Sequence, residues 1–227
     1  LLLTLQAMRR AFHDRALHLG DPDFVDVPVD RLTSKRYAAS LWRTLDTTRA
    51  TNSLEMTPGL VTIADGESEE TTHISVADRD GMAVSLTYTL EGGYGSHVVA
   101  SGTGVLLNNE MGDFNKKPGY TSATGEIGTP PNVIAPGKRM LSSMTPTILT
   151  RGDDLAVVTG SPGGRTNINT VFNVVLNILE FEMGVREAVV APRYHHQWLP
   201  DVATFEEGSL PHSTIAALEA MGHTLRV

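Results

Sequence analysis

The sequence predicts a layered α/β fold in which helices pack on a mainly antiparallel sheet. Three observations predict it. The chain opens with a helical apolar period, changes abruptly to a two-residue period at Thr71, and carries a long apolar helical run behind a glycine-rich turn at Gly160–Asn167.

The elements follow in order. Leu5, Met8, Phe12, Ala16 and Leu19 lie three or four apart and share one helical face, which Gly20 and Asp21-Pro22 end. A second helix starts near Thr33-Ser34, with Tyr37, Leu41 and Leu45 four apart. From Asp46 to Glu70 the polar, Pro- and Gly-containing chain reads as an exposed linker. Beyond it, Ile74 and Val76 alternate with polar residues, and Val84, Leu86, Tyr88 and Leu90 do so after "DRDG". A three-residue loop with Gly81 left-handed pairs Asp78 with Met82, so Val76 faces Val84, Ile74 faces Leu86 and Thr72 faces Tyr88. One apolar, buried face results, and a slip by one residue would mix the faces. In this register His73 faces Thr87 and Thr71 faces Thr89. Further strands are expected at Gly104–Leu107, Thr147–Leu149 and Leu155–Thr159. Gly112–Arg139 is a long Gly/Pro-rich loop of the kind that serves as a lid. The helix at Thr170–Met183 should be mostly buried, with Asn173, Asn177 and Glu180 on one narrow stripe. A last helix runs from Ser213 to Met221 and stops at Gly222.

The 227 residues carry a net charge of −8 and no basic stripe, which argues against a nucleic-acid partner. The absence of cysteine excludes disulfides, thiolate metal sites and cysteine catalysis. "LLLTLQAMRR" is interrupted by Gln6 and Arg9 and lacks a signal-peptide cleavage pattern, so it reads as neither a membrane span nor a signal sequence, and any targeting signal would lie upstream of it. Neither a cofactor nor a metal is expected. In "RYHHQW", adjacent histidines do not share one face and no carboxylate sits at helical spacing.

Several stretches can carry chemistry, each beside a plainer reading. Thr71 can simply begin a strand. It can also be a nucleophile whose own α-amine is the base, provided the Glu70-Thr71 bond is first cut. "GSPGGRTN" can present backbone N–H groups to an oxyanion or phosphate, or make a tight strand-to-helix turn. It lacks the ending of a nucleotide-binding loop. "LSSMTP" offers the hydroxyls of Ser142 and Ser143 to a carboxylate, or is a turn. Glu110 and Asp113 in "NNEMGDF" can bind an ammonium, or cap the next turn.

Taken together, "TTHISVADRDGMAVSLTYTL", "SGTGVLLNNEMGDFN", "PGKRMLSSMTPT", "VVTGSPGGRTN" and "APRYHHQWLPD" resemble the gamma-glutamyltransferase (gamma-glutamyltranspeptidase) family, in family order, across nearly all of Thr71 to Val227. The resemblance implies an N-terminal-nucleophile hydrolase-like αββα four-layer sandwich, present only in part. It implies a precursor that cuts itself between Glu70 and Thr71. Residues 1–70 would be the helical tail and linker of a large subunit, and 71–227 the small, catalytic subunit. By position, Thr71 matches the nucleophile and Thr89 its supporting hydroxyl. Gly163 and Gly164 match the oxyanion hole, Ser142 and Ser143 the α-carboxylate pair, and Glu110 and Asp113 the α-ammonium site. Glu91 stands in that ammonium pocket where many members have asparagine.

The implied substrate is glutathione or another gamma-glutamyl compound. The acceptor is water, an amino acid or a peptide, and the implied protein partner is the remaining large-subunit segment. The family's substrate-clamping arginine falls in that missing segment. The implied setting is periplasmic or extracellular. Two other expectations stay open: an acylase of cephalosporin or poly-gamma-glutamate type on the same fold, and an unprocessed binding or scaffold protein.

Overall fold

The computed structural model describes residues 1–56 and 70–227. In chain order its elements are α1 (Leu2–His18), α2 (Val29–Leu32), α3 (Lys35–Arg43), β1 (Glu70–Ala77), β2 (Ala83–Glu91), β3 (Thr147–Arg151) and β4 (Asp154–Thr159). There follow α4 (Thr166–Leu179), α5 (Val185–Val190), β5 (Tyr194–His195), β6 (Ala203–Phe205), α6 (His212–Ala220) and β7 (Leu225–Arg226). Packing divides them into two units. The first takes residues 1–56, Asp113–Leu141 and Pro192–Val227, and the second takes residues 70–112 and Ser142–Ala191.

In the first unit, α1 buries Leu5, Met8, Phe12 and Ala16, the face its spacing predicts. Leu19 falls outside, as an extended C-cap with φ −94° and ψ 140°. Phe114, Trp198, Leu199, Ala203, Phe205 and Leu218 complete this core, each large apolar side chain contributing about 1.5–3 kcal/mol. β6 pairs antiparallel with β5 and parallel with β7. Ser34 caps α3 by accepting the Tyr37 N–H at 3.1 Å, but α3 ends at Arg43 and leaves Leu45 outside. α6 stops where expected, its last turn closed by the Gly222 and His223 N–H groups.

One expectation fails in part in this unit. Residues 57–69 of the expected linker lie outside the described residues, but the part before them is not exposed throughout. Ser53 is fully buried, because its polar atoms are all taken up by side chains of the unit. From Asp113 on, the expected long loop is largely irregular, and several of its residues bond within this unit. Thr129 donates to the Ala16 carbonyl, Asn132 donates to the Asp113 carbonyl, and Arg139 forms an ion pair with Asp21.

In the second unit the hairpin has the expected register: Thr72 opposite Tyr88, His73 opposite Thr87, Ile74 opposite Leu86 and Val76 opposite Val84. Asp78 and Met82 close the loop, the Asp78 N–H donating to Met82 O at 2.9 Å, and Gly81 is left-handed with φ 88°. A left-handed backbone crowds any Cβ, which is why glycine stands there. The expected burial is reversed, however. Ile74, Val76, Val84, Leu86 and Tyr88 are 50–61% exposed. The polar face is the one that meets other structure. Ser85 Oγ donates to Thr159 O at 2.9 Å and accepts from the Thr147 N–H at 3.1 Å, and Ser75 Oγ donates to Val158 O at 3.3 Å.

β3 and β4 contain the strands expected at Thr147–Leu149 and Leu155–Thr159. The strand expected at Gly104–Leu107 is only a bridge, Val99 to Leu106, because the Ala100–Thr103 turn leaves room for a few pairing bonds. α4 starts earlier and ends earlier than expected, with Glu180 as its C-cap. Its buried residues are three asparagines together with Val171 and Val174. Asn167, Asn169 and Asn173 are at most 3% exposed, while Leu179 is 47% exposed. Asn173 Nδ2 donates back to the Asn169 carbonyl at 2.8 Å, which lets an amide sit inside.

Candidate active site

The start of β1 and the end of β2 bring Glu70, Thr71, Thr89 and Glu91 together. A register shift between Glu70 and Thr72 sets Glu70 opposite Glu91, so Thr71 sits in a bulge rather than in a regular pair. Its hydroxyl still reaches across: Thr71 Oγ1 donates to Thr89 Oγ1 at 3.3 Å. Thr89 Oγ1 in turn donates to the Glu70 carbonyl at 2.7 Å and accepts the Glu91 N–H at 2.9 Å. One hydroxyl thus spends its donor and both acceptor positions. Its proton lies on the carbonyl of the Glu70-Thr71 bond, the atom that gains negative charge when that carbonyl carbon is attacked.

Glu91 has a left-handed backbone, φ 69°, and its carboxylate lies directly against Gly112. The Asn109 N–H donates to Leu90 O, and Asn109 Oδ1 accepts the Gly92 N–H at 2.9 Å. These bonds dock the segment carrying Glu110, which is 7% exposed, onto the end of β2. Asp113 packs with the other unit.

The glycine loop precedes α4. Gly163 and Gly164 have φ of 118° and 54°, and Thr166 Oγ1 donates to the Gly163 carbonyl at 2.6 Å. Positive φ at both positions favours glycine, and the helix that follows places its positive end beside the loop. Ser142 and Ser143 lie in the irregular stretch ahead of β3. Ser142 Oγ accepts the Met144 N–H at 3.0 Å, and Ser143 is 9% exposed.

His73 is a side chain that motif reading passes over. Its ring packs on Gly160 at the head of the glycine loop, so closely that a side chain there would collide with it. Nδ1 lies 2.8 Å from Thr87 Oγ1 and Nε2 lies 2.9 Å from Ser75 Oγ. Burial pushes its pKa down, favouring the neutral ring. His73 shares a hairpin face with Thr71 and so couples the threonine strand to the loop. Its place opposite Thr87 was readable; its contact with Gly160 was not, since nothing local marks it.

The histidines of "RYHHQW" diverge. His195 Nε2 lies 2.8 Å from Gln197 Oε1, whereas His196 accepts the Trp198 N–H at Nδ1 and turns Nε2 to Asp201 at 3.1 Å. Among the described residues no group of three His, Cys, Asp or Glu could hold a metal ion.

Known proteins place this arrangement. The gamma-glutamyltranspeptidase family model matches residues 1–227. The glutathione hydrolase proenzyme of Escherichia coli K12 is 47% identical over 220 residues, covering 97% of this chain and 37% of that protein. The glutathione hydrolase proenzyme of Pseudomonas aeruginosa is 44% identical over 225 residues, covering 98% of this chain and 39% of that protein. The chain thus spans less than two fifths of the length of these relatives. Among solved structures, a T380A mutant of Helicobacter pylori gamma-glutamyltranspeptidase aligns at TM-score 0.64 and 46% identity, over 68% of this chain and 83% of that one. A cephalosporin acylase from Bacillus halodurans aligns at TM-score 0.74 and 25% identity, over 98% of this chain and 37% of that one. The α/β fold of N-terminal-nucleophile hydrolase type is shared with these structures, in partial form. The chain belongs to the gamma-glutamyltranspeptidase family.

Proposed function

We propose that this chain is the nucleophile-bearing part of a self-processing gamma-glutamyltransferase and glutathione hydrolase. Residues 1–70 belong to its large subunit and residues 71–227 to its small one. One observation carries the reading: the Thr71 hydroxyl points to Thr89, whose own proton rests on the Glu70 carbonyl.

In the precursor, Thr71 Oγ attacks the Glu70 carbonyl carbon while Thr89 steadies the developing charge on its oxygen. The Thr71 hydroxyl proton passes to the departing amide nitrogen, leaving an ester that water hydrolyses. This step frees the Thr71 α-amine, whose ordinary pKa of about 7.7–8.0 leaves a neutral fraction able to act as base near pH 7. In turnover the amine takes the Thr71 hydroxyl proton as Oγ attacks the gamma-carbonyl of glutathione or a related compound. The Gly163 and Gly164 N–H groups receive the oxyanion, and the leaving amine departs with a proton. Water, an amino acid or a peptide then takes the glutamyl group from the threonine ester. Ser142 and Ser143 hold the substrate α-carboxylate, and Glu91 and Glu110 take its α-ammonium. The bare apolar face of β1–β2 fits a partner that covers it, and we assign this to the rest of the large subunit.

The likeness to a cephalosporin acylase supports one other reading, an acylase on the same fold. Denaturing gels and N-terminal sequencing of the complete protein should find a fragment beginning "TTHISV", which Thr71→Ala abolishes. A single uncut band from wild type would favour a scaffold instead. Gamma-glutamyl anilide should be turned over in preference to glutaryl anilide, which lacks the α-amino group. The reverse order would make the protein an acylase.

A further inference from the structure

The proposed scission would separate residues 1–70 from 71–227, yet the first packing unit draws on both sides of that junction. Its centre is polar, buried, and shared between the two sides. Arg9, 1% exposed, donates from Nε to Ser53 Oγ at 2.8 Å, from Nη1 to Gln6 Oε1 at 3.0 Å and from Nη2 to Asp201 Oδ1 at 2.7 Å. Arg9 and Ser53 precede the junction, whereas Asp201 follows it. The other Asp201 oxygen accepts the Ser53 N–H at 2.7 Å, and Trp198, fully buried, donates its indole N–H to Ser53 O at 3.1 Å. Ser53 is thus held at N, O and Oγ, just ahead of the stretch that leads to Thr71.

We propose that this Arg9–Ser53–Asp201–Trp198 centre is the lock that keeps the two chains together once the Glu70-Thr71 bond is cut. A buried guanidinium is tolerated only when a carboxylate and well-placed acceptors compensate it. Here the carboxylate comes from the far side of the junction. Separation of the chains would strip Arg9 of Asp201 and Ser53 of both its backbone partners, so the lock resists dissociation through groups that cannot be satisfied alone. The assignment rests on the proposed scission, but its test can be made independent of it.

In the complete protein carrying Thr71→Ala, a recognition sequence for a site-specific protease replaces part of residues 57–69, so the nick is made at will. Size-exclusion chromatography across a urea series, before and after the nick, then reports whether the chains part. The nicked parent should stay together. Asp201→Asn, which leaves the guanidinium without its counter-charge, should raise the apparent dissociation constant of the nicked chains by roughly a hundredfold or more. Arg9→Lys, which keeps the charge but loses the forked geometry, should give a smaller rise. Circular dichroism before the nick checks that each variant folds; if Asp201→Asn does not, Arg9→Lys decides. Nicked variants that hold together as tightly as the nicked parent would overturn the lock. Failure of wild type to cut itself would instead overturn the proposed function and leave the lock standing.

Discussion

A single oxygen, Thr89 Oγ1, ties three neighbours: Thr71, the Glu70 carbonyl and the Glu91 amide. Removing it as Thr89→Ala should slow both maturation and turnover by roughly ten- to a hundredfold, the scale of one hydrogen bond to a charge-bearing transition state. Thr89→Ser, which keeps the hydroxyl, should restore most of both. Band intensities on a denaturing gel over time, with anilide turnover of the matured fraction, check this. Unchanged rates in Thr89→Ala would leave the Thr89 contact without a part in either step. That the Thr71 and Thr89 hydroxyls meet is legible in the sequence, because an Arg79-Asp80-Gly81 loop sets the ladder from Val76 back to Thr72 by counting. The bulge at Thr71 is not. It depends on Glu70 seeking Glu91 rather than Leu90, a choice made where the regular ladder ends.

At the scale of elements, alternation shows which residues share a face, but not which face is covered. Ile74, Val76, Val84, Leu86 and Tyr88 do share one, as expected, yet the covered side carries His73, Ser75 and Ser85. Covering that side costs little here, because each serine hydroxyl meets a strand carbonyl of β4. α4 gives the same lesson. Its period is legible, but apolar count does not foretell that Asn167, Asn169 and Asn173 are buried beside Val171 and Val174, with Asn173 Nδ2 bonded to its own helix backbone. α1 is read correctly for its apolar face and missed for its charge. Arg9 in a helical stripe looks like a solvated residue, and only Asp201, far along the chain, makes its burial bearable. Glycine and proline content marks Gly112–Arg139 as a loop, but two of its anchors, Ala16 and Asp21, are distant in sequence.

For the molecule as a whole, acid should weaken the first unit. Burial pushes His223 down to about 4, with the charges of Arg9 and His196 acting the same way and Asp201 opposing them. Neither ring nitrogen of His223 has a hydrogen-bond partner among the described residues. Its unfolded pKa is about 6.5, so the unfolded chain takes up this proton first. The stability it carries is whole above pH 6.5 and is lost as pH falls toward 4, by roughly 3 kcal/mol in all. His196 is likewise pushed down by burial. For Asp201 burial alone would raise the pKa, but hydrogen bonds from His196 and Ser53 and the Arg9 charge hold it well below the ordinary carboxylate range. Its loss therefore comes later, as pH drops below the usual aspartate value. Thermal melts from pH 8 to pH 4 should show falling midpoints, and His223→Leu should flatten the fall between 6.5 and 4. An equal fall in that variant would exclude His223 as its source.

The threonine pair has a last consequence. While Glu70 is attached, the proton of Thr89 is occupied by that residue's carbonyl, so polarity runs from Thr71 outward. Were Glu70 to leave by the proposed scission, the acceptor would go with it, and the Thr71 oxygen, 3.3 Å away, would be left as a new address for that proton. The relay would then reverse direction. Thr89 would give where it formerly received, and the Thr71 proton would be turned toward the newly freed amine.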